Sequence, residues 1–364
     1  MVGFAQPHTA ARSTDFVPTV PTLIQLFVLE HTAEMSTLRI LVTEPELLHA
    51  DALASLEEFA TVTRLEEKSL PNSPDEMEAM LLEHVAKGFD ALFIRAATKV
   101  SASVLAAGKE HGLKVIGTAT LGRDHVDPAG LEATGIELIS LSGTVAHTIP
   151  TAEHVMALLL AVTRNVVAAQ DDTVEGMWDS RHLFLGHSLR DKTLGIVGLG
   201  SIGQYVANIA SAGFHMSVKA VDPYASDEAF LAVRAERVAS LEDLLPQVDV
   251  LTLHCILNDE TRGMIGKEQI DALRPGSYII NCGRGPLIDE DALIDALESG
   301  HLAGAGLDVF VEEPLSSTSR VAQYADTHRS NLVITPHLGA STHEALRDGG
   351  TIIASRLRTF LLDA

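Results

Sequence analysis

Short apolar runs along the first third of the chain alternate with longer amphipathic stretches. The runs fit buried β-strands, and the stretches between them have the 3.6-residue period of helices. Strands that alternate with helices predict a βαβ unit with a mainly parallel sheet. The predicted strands are residues 38–42, 91–94, 113–116 and 136–139, and the clearest helices are 74–87 and 101–110.

A second series of the same kind begins near residue 193 and predicts a complete doubly wound sheet of six strands. Between the two series, residues 150–166 are apolar on nearly every helical face, which predicts a helix buried on all sides. A last amphipathic helix is predicted at 341–362. The six strands are predicted at residues 194–197, 218–221, 248–253, 278–281, 303–307 and 332–334.

The first 34 residues show no such pattern. They carry prolines at positions 7, 18 and 21 and no convincing hydrophobic period, whereas a strand pattern begins just after Met35. We therefore expect residues 1–34 to be a disordered or non-native leader that precedes the fold.

Composition and charge restrict the function further. The 364 residues are 46% hydrophobic and 21% charged, enough to bury a core in about two domains. The net charge of −23 excludes a broad phosphate-binding surface, so no nucleic-acid partner is expected. Cys255 and Cys282 are too few for a disulfide framework or a zinc site. No apolar run reaches 18 residues, and we expect a cytoplasmic protein without membrane contact or metal.

A glycine-rich turn with the spacing GxGxxG directly follows the first strand of the second series and opens a helix. Glycines there permit a tight turn and the close approach of a pyrophosphate, which the helix N-terminus attracts. Asp222 ends the next strand, where a carboxylate can bind both ribose hydroxyls. Residues 223–226 contain no cation for a 2′-phosphate, which favours NAD over NADP. The turn contributes the cofactor-binding candidates Gly198, Gly200, Ser201, Ile202 and Gly203.

Three further polar residues follow later strands of the same predicted sheet, at the edge where open α/β sheets bind ligands. They are Arg284, Glu313 and His337. Arginine binds a carboxylate with two parallel hydrogen bonds, histidine exchanges a proton near pH 7, and a carboxylate beside histidine favours its protonated form. Each residue alone has a structural explanation, such as an ion pair or a surface loop. Together they suit the oxidation of a hydroxyl group next to a carboxylate.

These motifs resemble those of the D-isomer-specific 2-hydroxyacid dehydrogenases. The resemblance runs from Arg95 to the C-terminus and includes the glycine turn, Asp222, residues 281–285 and residues 335–337. It implies a Rossmann dinucleotide-binding domain inserted into a flavodoxin-like substrate domain. The implied boundaries are 35–143 plus 342–364 for the substrate domain and 144–341 for the NAD-binding domain. The apolar helix after residue 150 would then contribute to a homodimer.

The same resemblance implies roles for individual residues. Arg284 would bind the substrate carboxylate, His337 would be the acid/base, Glu313 would pair with His337, and Asp308 would contact the nicotinamide amide. Further cofactor contacts would come from Cys282, Gly283 and Gly339. The substrate-domain candidates are Arg95, as a second anion contact, and Leu121 and Gly122, through backbone amides.

Within the family, some motifs resemble the enzyme of one phosphorylated hydroxy acid and some resemble the enzyme of another. Residues 308–314 and 336–342 are similar to phosphoglycerate dehydrogenase, whereas 95–100 and 117–127 look like erythronate-4-phosphate dehydrogenase. Ala96 replaces the serine usual in phosphoglycerate dehydrogenases, and Arg123 matches neither pattern. The substrate therefore stays open, as do the roles of Lys99 and Arg123.

Two alternatives of other kinds remain. One is a non-catalytic NAD-sensing protein, since transcriptional corepressors that resemble the family can keep the same three polar residues. The other is a generic Rossmann reductase or another 2-keto acid reductase. Turnover of NADH with a panel of 2-keto acids distinguishes these alternatives from one another.

Overall fold

The computed structural model describes residues 38–65, 71 and 73–363. Within these residues the strands form two sheets, and every paired strand runs parallel to its neighbours. The expected leader, residues 1–34, lies outside the described residues.

The smaller sheet has five strands in the order β2-β1-β3-β4-β5, the flavodoxin-like order. The sequence predicts four of them and misses β2, whose residues Thr-Val-Thr-Arg are exposed or half-buried at the edge of the sheet. An edge strand of this kind has no apolar run to reveal it. The strands are β1 (Arg39–Val42), β2 (Thr61–Arg64), β3 (Ala91–Ile94), β4 (Val115–Thr118) and β5 (Glu137–Ile139).

The larger sheet has seven strands in the order β12-β11-β10-β9-β6-β7-β8, and it is doubly wound about β6. The predicted count of six is wrong, because the two exposed residues of β8 form an additional edge strand. The strands are β6 (Thr193–Val197), β7 (Ser217–Val221), β8 (Glu236–Arg237), β9 (Val250–Leu253), β10 (Ser277–Asn281), β11 (Leu302–Leu307) and β12 (Leu332–Ile334).

Helices connect the strands and cover both faces of the sheets. The described α-helices are α1 (Ala50–Glu57), α2 (Pro74–Val85), α3 (Ala102–Glu110), α4 (Pro128–Thr134), α5 (Thr148–Thr163), α6 (Val166–Val174), α7 (Ser201–Asn208), α8 (Asp227–Ala232), α9 (Leu241–Leu244), α10 (Lys267–Ala272), α11 (Glu290–Glu298), α12 (Arg320–Thr327) and α13 (His343–Leu362).

The apolar helix α5 packs directly on the larger sheet. Added Cβ atoms at Gly304 and Gly306 of β11 would lie 2.6 Å and 2.9 Å from Val162 and Leu158, so these glycines permit the close packing. The predicted burial on all sides is wrong for the single chain, because Glu153 is exposed. The helix also ends earlier than predicted.

A break separates α5 from α6. Asn165 has φ +52°, a left-handed conformation that stops the helix, and the two helices meet at 61°. Among the described residues, no single helix has the length and hydrophobicity to cross a membrane, and this bent pair meets both conditions only when its two halves are taken together.

The last helix, α13, returns to the smaller sheet. An added Cβ at Gly117 of β4 would lie 2.7 Å from Ile353, and one at Gly350 would lie 2.7 Å from Ala52 of α1. The polypeptide of the larger sheet is thus inserted between two parts of the smaller unit. This confirms the predicted fold class, whereas the domain boundaries at 143/144 and 341/342 stay predictions.

The two connections between the units, residues 140–147 and 335–342, lie beside α13. Arg356 of α13 donates hydrogen bonds to the carbonyl oxygens of Ser140 and, at 3.3 Å, Ser142. An added Cβ at Gly349 would lie 3.0 Å from His147 Nε2. Burial, with a smaller effect from Arg95, lowers the pKa of His147 to about 4, so its ring is neutral at pH 7.

Replacement of Leu357 tests the assignment of α13 to the smaller unit. The side chain is fully buried, and we expect Leu357→Ala to lower the free energy of unfolding by about 2–5 kcal/mol through lost burial and a cavity. The control is Leu362→Ala, at a position 51% exposed on the same helix, for which we expect a change below about 1 kcal/mol. Urea unfolding followed by circular dichroism measures both, and equal effects would contradict the assignment.

Candidate active site

The glycine turn between β6 and α7 has the conformation that an anion-binding turn needs. Gly198 has φ +91°, and a Cβ there would lie 2.6 Å from the backbone nitrogen of Cys255. A Cβ at Gly203 would lie 2.3 Å from the carbonyl oxygen of Gly198. At Gly200, in contrast, a Cβ would meet no described atom within 4 Å. Gly198 and Gly203 are therefore needed by the turn itself, whereas Gly200 leaves open space at the N-terminus of α7.

The first residues of α7 complete the turn. Gly200 caps the helix without a side-chain hydrogen bond, so the first amides, including that of Ser201, have no side-chain acceptor at the cap. Ile202 is half-buried and packs on the cluster that contains α5. The arrangement suits the pyrophosphate of a dinucleotide.

Asp222, at the end of β7, is bound by the backbone of its own loop and of the glycine turn. Its Oδ2 accepts a hydrogen bond from Leu199 N at 2.7 Å, and its Oδ1 accepts from Tyr224 N at 2.8 Å and Ala225 N at 3.0 Å. A carboxylate has about four acceptor positions, so three backbone amides leave roughly one for a ribose hydroxyl. Ribose binding by Asp222 stays a prediction.

A cation that the sequence interpretation missed lies beside this loop. Arg237 of β8 donates to the carbonyl oxygens of Asp222 at 3.2 Å and Ala225 at 2.6 Å, and it pairs with Asp227 at 3.1 Å. Its guanidinium also stacks 3.9 Å from the ring centroid of Phe230. Residues 223–226 contain no cation, but this basic residue from a neighbouring strand lies beside Asp222, and its contacts already use much of the hydrogen-bonding capacity of Arg237.

His337 and Glu313 form a close pair. His337 Nδ1 lies 2.8 Å from Glu313 Oε2, and Glu313 Oε1 accepts from Phe310 N at 3.0 Å. Burial raises the pKa of Glu313, but the hydrogen bond and charge of His337 outweigh it, so the pKa lies below its ordinary value. An ionised Glu313 can only accept, so Nδ1–H donates a hydrogen bond to it, and Nε2 carries the lone pair that can take up a proton.

The loop that carries His337 is fixed by the buried carboxylate of Asp308. Its Oδ1 accepts from Thr335 Oγ1 at 2.6 Å and Leu338 N at 2.7 Å, and its Oδ2 accepts from Gly339 N at 2.8 Å. The Asp308 carbonyl also accepts from His337 N at 2.8 Å, which supports the left-handed backbone of His337 at φ +54°.

His154 of α5 extends this anchor. Its Nε2 lies 2.9 Å from Thr335 Oγ1 and 3.2 Å from Asp308 Oδ1. Burial raises the pKa of Asp308, but hydrogen bonds from His154, Thr335 and Leu338 lower it to below the ordinary value. The sequence interpretation missed His154, for which the signal was a histidine on a mostly apolar helix. Protein donors bind both carboxylate oxygens of Asp308. Its contact with the nicotinamide amide stays a prediction.

The loop after β10 carries Arg284 toward the smaller unit. Asn281 accepts from Gly283 N at 3.0 Å through Oδ1 and donates to the Arg284 carbonyl at 2.9 Å through Nδ2. Cys282, directly after β10, is buried, and burial raises the pKa of its thiol well above the usual value, which disfavours a nucleophilic role. A Cβ at Gly285 would overlap the backbone of Phe310, so this loop and the Glu313 loop are in close contact.

Arg284 contacts the other unit through Asp124, which the sequence interpretation did not single out. Its Nε and Nη2 each lie 2.8 Å from one oxygen of Asp124. Burial raises the pKa of Asp124, but the hydrogen bonds and charge of Arg284 outweigh it and hold the pKa below its ordinary value. The signal in the sequence was an acidic residue shortly after β4.

The predicted substrate contacts of the smaller unit lie at the same edge. Gly122 touches Arg284, since a Cβ there would lie 1.6 Å from Nη2, and Leu121 beside it is half-buried. Arg95 follows β3 and is 8% exposed, and its guanidinium forms no hydrogen bond with any residue that the structure describes. Burial lowers the pKa of Arg95, with Glu44 opposing the shift.

Lys99 and Arg123, the two cations whose roles the sequence leaves open, are exposed. Lys99 lies at the surface, and the side chain of Arg123 makes one long 3.4 Å hydrogen bond within the described part of the chain, to the carbonyl of Leu138. Residues 38–65, 71 and 73–363 contain no cluster of three or more histidine, cysteine or acidic side chains that could hold a metal.

Comparisons with known proteins agree with this geometry. The family model described as "D-isomer specific 2-hydroxyacid dehydrogenase, NAD binding domain" matches residues 156–339. The D-3-phosphoglycerate dehydrogenase of Methanocaldococcus jannaschii is 40% identical over 323 residues, which are 89% of this chain and 57% of that protein. The chain spans about half the length of the curated relatives it matches.

Two solved structures share the fold over almost their whole length. A protein from Thermus thermophilus superposes with a TM-score of 0.77 at 34% identity, covering 90% of this chain and 97% of that chain. The pyruvate reductase of Chlamydomonas reinhardtii gives a TM-score of 0.74 at 28% identity, covering 90% and 98%. The larger unit is therefore an NAD-binding domain, and the open space at Gly200 fits the pyrophosphate of that cofactor.

Replacement of Gly200 tests this fit. Because a Cβ at Gly200 meets no described atom, we expect Gly200→Ala to fold normally but to raise the Kd for NADH by about tenfold or more. NADH fluorescence titration measures the change. The matched control is Gly213→Ala, where a Cβ also meets no described atom, and its Kd should be unchanged. Equal affinity in all three proteins would show that the cofactor does not approach Gly200.

Proposed function

We propose that this chain, which belongs to the D-isomer-specific 2-hydroxyacid dehydrogenase family, interconverts a D-2-hydroxy acid and its 2-keto acid with NAD. The observation that carries the proposal is the His337–Glu313 pair, which lies at the same sheet edge as Arg284 and the glycine turn. A general base, a carboxylate-binding cation and a dinucleotide site are the three parts that this reaction needs.

His337 exchanges the proton of the substrate hydroxyl. Its Nε2 is basic because Nδ1 is bonded to Glu313 at 2.8 Å, and the ionised Glu313 stabilises the imidazolium that forms. In the reverse direction, the imidazolium returns the proton to the carbonyl oxygen. NAD, when bound at the glycine turn, supplies the hydride acceptor.

Arg284 orients the substrate through its carboxylate. The charge of Arg284 also lowers the pKa of Glu313, which places it within electrostatic range of the catalytic pair. A substrate held between Arg284 and His337 has its 2-hydroxyl beside the base, and closure of the cleft would exclude water.

We further propose that the substrate is phosphorylated. Arg95 is a buried cation whose guanidinium forms no hydrogen bond with the described residues, as expected for a group that awaits an anionic ligand. The relatives named D-3-phosphoglycerate dehydrogenase support a three-carbon phosphate, and 4-phosphoerythronate is the alternative that residues 95–100 and 117–127 favour. The net charge of −23 makes a small acid a better partner than nucleic acid.

A direct assay tests the substrate. The absorbance of NADH at its long-wavelength maximum is followed with unphosphorylated 2-keto acids, with 3-phosphohydroxypyruvate and with the oxidised form of 4-phosphoerythronate. Preference for 3-phosphohydroxypyruvate supports the proposal. Binding of NADH without turnover of any acid would contradict it and favour an NAD-sensing protein without catalysis.

We also propose a homodimer, in the cytoplasm, where free thiols such as Cys255 and Cys282 persist. The segment after α5 exposes a group of large apolar side chains that a partner copy could cover. They are Val166, Val174, Met177, Trp178, Leu183 and Leu185, which are 45–83% exposed.

Charge substitutions at this surface test the dimer. We expect light scattering at micromolar concentration to give twice the 38.8 kDa chain mass for the wild type, and a monomer for Trp178→Glu combined with Leu185→Glu, because buried carboxylates oppose association. The control Leu231→Glu changes a residue that is 77% exposed outside this segment and should leave the mass unchanged. A wild-type protein of monomer mass would contradict the proposal.

Replacement of His337 tests the proposed base. His337→Ala removes the proton acceptor, so kcat should fall by about 100-fold or more while the Kd for NADH stays the same. His343→Ala, an exposed histidine six residues further along, serves as the control and should turn over normally. Steady-state kinetics and NADH titration measure both variants, and normal turnover by His337→Ala would overturn the mechanism.

A further inference from the structure

The ion pair between Arg284 and Asp124 bridges the two units at the active site, and the proposed mechanism assigns no role to Asp124. We propose that Asp124 is a positioning residue, which holds Arg284 by one edge of its guanidinium so that the opposite edge faces the substrate carboxylate. The inference rests on the proposed function, since it concerns how Arg284 binds its acid.

The hydrogen bonds of Arg284 leave room for both carboxylates. A guanidinium has five N–H donors. Nε and Nη2 bind the two oxygens of Asp124 at 2.8 Å each, and Nη1 donates to the carbonyl of Gly283 at 2.8 Å. One hydrogen remains on each Nη nitrogen. Because Asp124 occupies the edge between Nε and Nη2, the free hydrogen of Nη2 lies on the edge shared with Nη1. A substrate carboxylate that binds this hydrogen does not need to displace Asp124.

A series of hydrogen bonds holds the loop that carries Asp124 to β4. Each donor in the series points toward the carbonyl of Gly122. Thr120 Oγ1 must donate to the carbonyl of Gly122 at 2.7 Å, because a carbonyl only accepts. Thr118 Oγ1 therefore donates to Thr120 at 2.8 Å, and His125 Nε2 donates to Thr118 at 2.9 Å. Burial is the main reason that the pKa of His125 is lowered to about 4, so the ring stays neutral and keeps this role.

Gly122 makes this geometry possible. A Cβ at Gly122 would lie 1.6 Å from Arg284 Nη2 and 2.9 Å from Asp124 Oδ1, so the backbone of the loop lies directly against the ion pair. The guanidinium is thus bounded by backbone at Gly122 and by the carboxylate of Asp124. Rotation of Arg284 away from the substrate would break two charge-assisted hydrogen bonds at once.

The ion pair with Asp124 also keeps Arg284 apart from the catalytic pair, His337 and Glu313. Burial raises the pKa of Glu313, whereas His337 and, more weakly, the charge of Arg284 lower it. Glu313 is therefore a second carboxylate within electrostatic range of the guanidinium. If Asp124 lost its charge, Glu313 would become the stronger local attraction, and a guanidinium that moved toward it would weaken the imidazolium of His337 as well as substrate binding.

The opposite role is that Asp124 competes with the substrate for Arg284. The two roles predict opposite changes in affinity for a carboxylate. Oxalate is a suitable probe, because it resembles the carboxylate and carbonyl of a 2-keto acid and is not reduced. Its affinity for the enzyme–NADH complex, measured by calorimetry, needs no turnover and is independent of the identity of the true substrate.

The experiment uses Asp124→Asn in the full chain, in the wild-type background and in an Arg284→Gln background. We expect oxalate affinity to fall by about tenfold or more in the first background and to change less than about twofold in the second, because the effect passes through Arg284. The Kd for NADH should stay within about twofold of the wild type. Asp124→Ser is a second variant with the same expected loss, should the first fail to fold.

Asp127→Asn is the matched control, since it removes the same charge three residues along the same loop and leaves an asparagine that can still cap α4. It should not change oxalate affinity. Tighter oxalate binding by Asp124→Asn would overturn the inference in favour of competition, and an equal loss in the Arg284→Gln background would show a merely structural role. If no hydroxy acid were turned over but the coupling to Arg284 were present, the proposed function alone would fail.

Discussion

Parallel strand pairing is the constraint on which the site depends. Every strand in both sheets runs parallel to its neighbours, so each connection must cross over the sheet and return the chain in the same direction. The carboxyl ends of the strands therefore gather at one edge of each sheet, and the polar loops that follow β6, β7, β10, β11 and β12 gather with them. The cofactor turn and the three polar residues meet for this topological reason, although up to 139 residues separate them along the chain.

A second constraint is the buried carboxylate of Asp308. A buried charge is costly unless hydrogen bonds compensate it, and here two backbone amides, a threonine hydroxyl and His154 supply them. All of those donors except His154 belong to the loop that carries His337, so satisfying the charge also fixes the left-handed backbone of His337 and its distance to Glu313. The base is therefore oriented in part by hydrogen bonds to its neighbours in the loop and not only by its own contacts.

The sequence predicted the features that local pattern encodes. The glycine turn, Asp222 and the paired His337 and Glu313 follow apolar strands directly, and the resemblance that they carry is confirmed by the family model. Prediction from the sequence failed where contacts join distant segments. Asp124 lies 160 residues from Arg284, and His154 lies on a helix that is mostly apolar. The edge strands β2 and β8 were missed because they have no buried face to give them a hydrophobic period.

Both connections between the units adjoin α13: residues 140–147 contact it through Arg356 and through His147 at Gly349, and residues 335–342 lead directly into its first turn. The inserted unit thus leaves from and returns to the same helix of the smaller unit, and the Arg284–Asp124 ion pair is a second, non-covalent attachment between the two units.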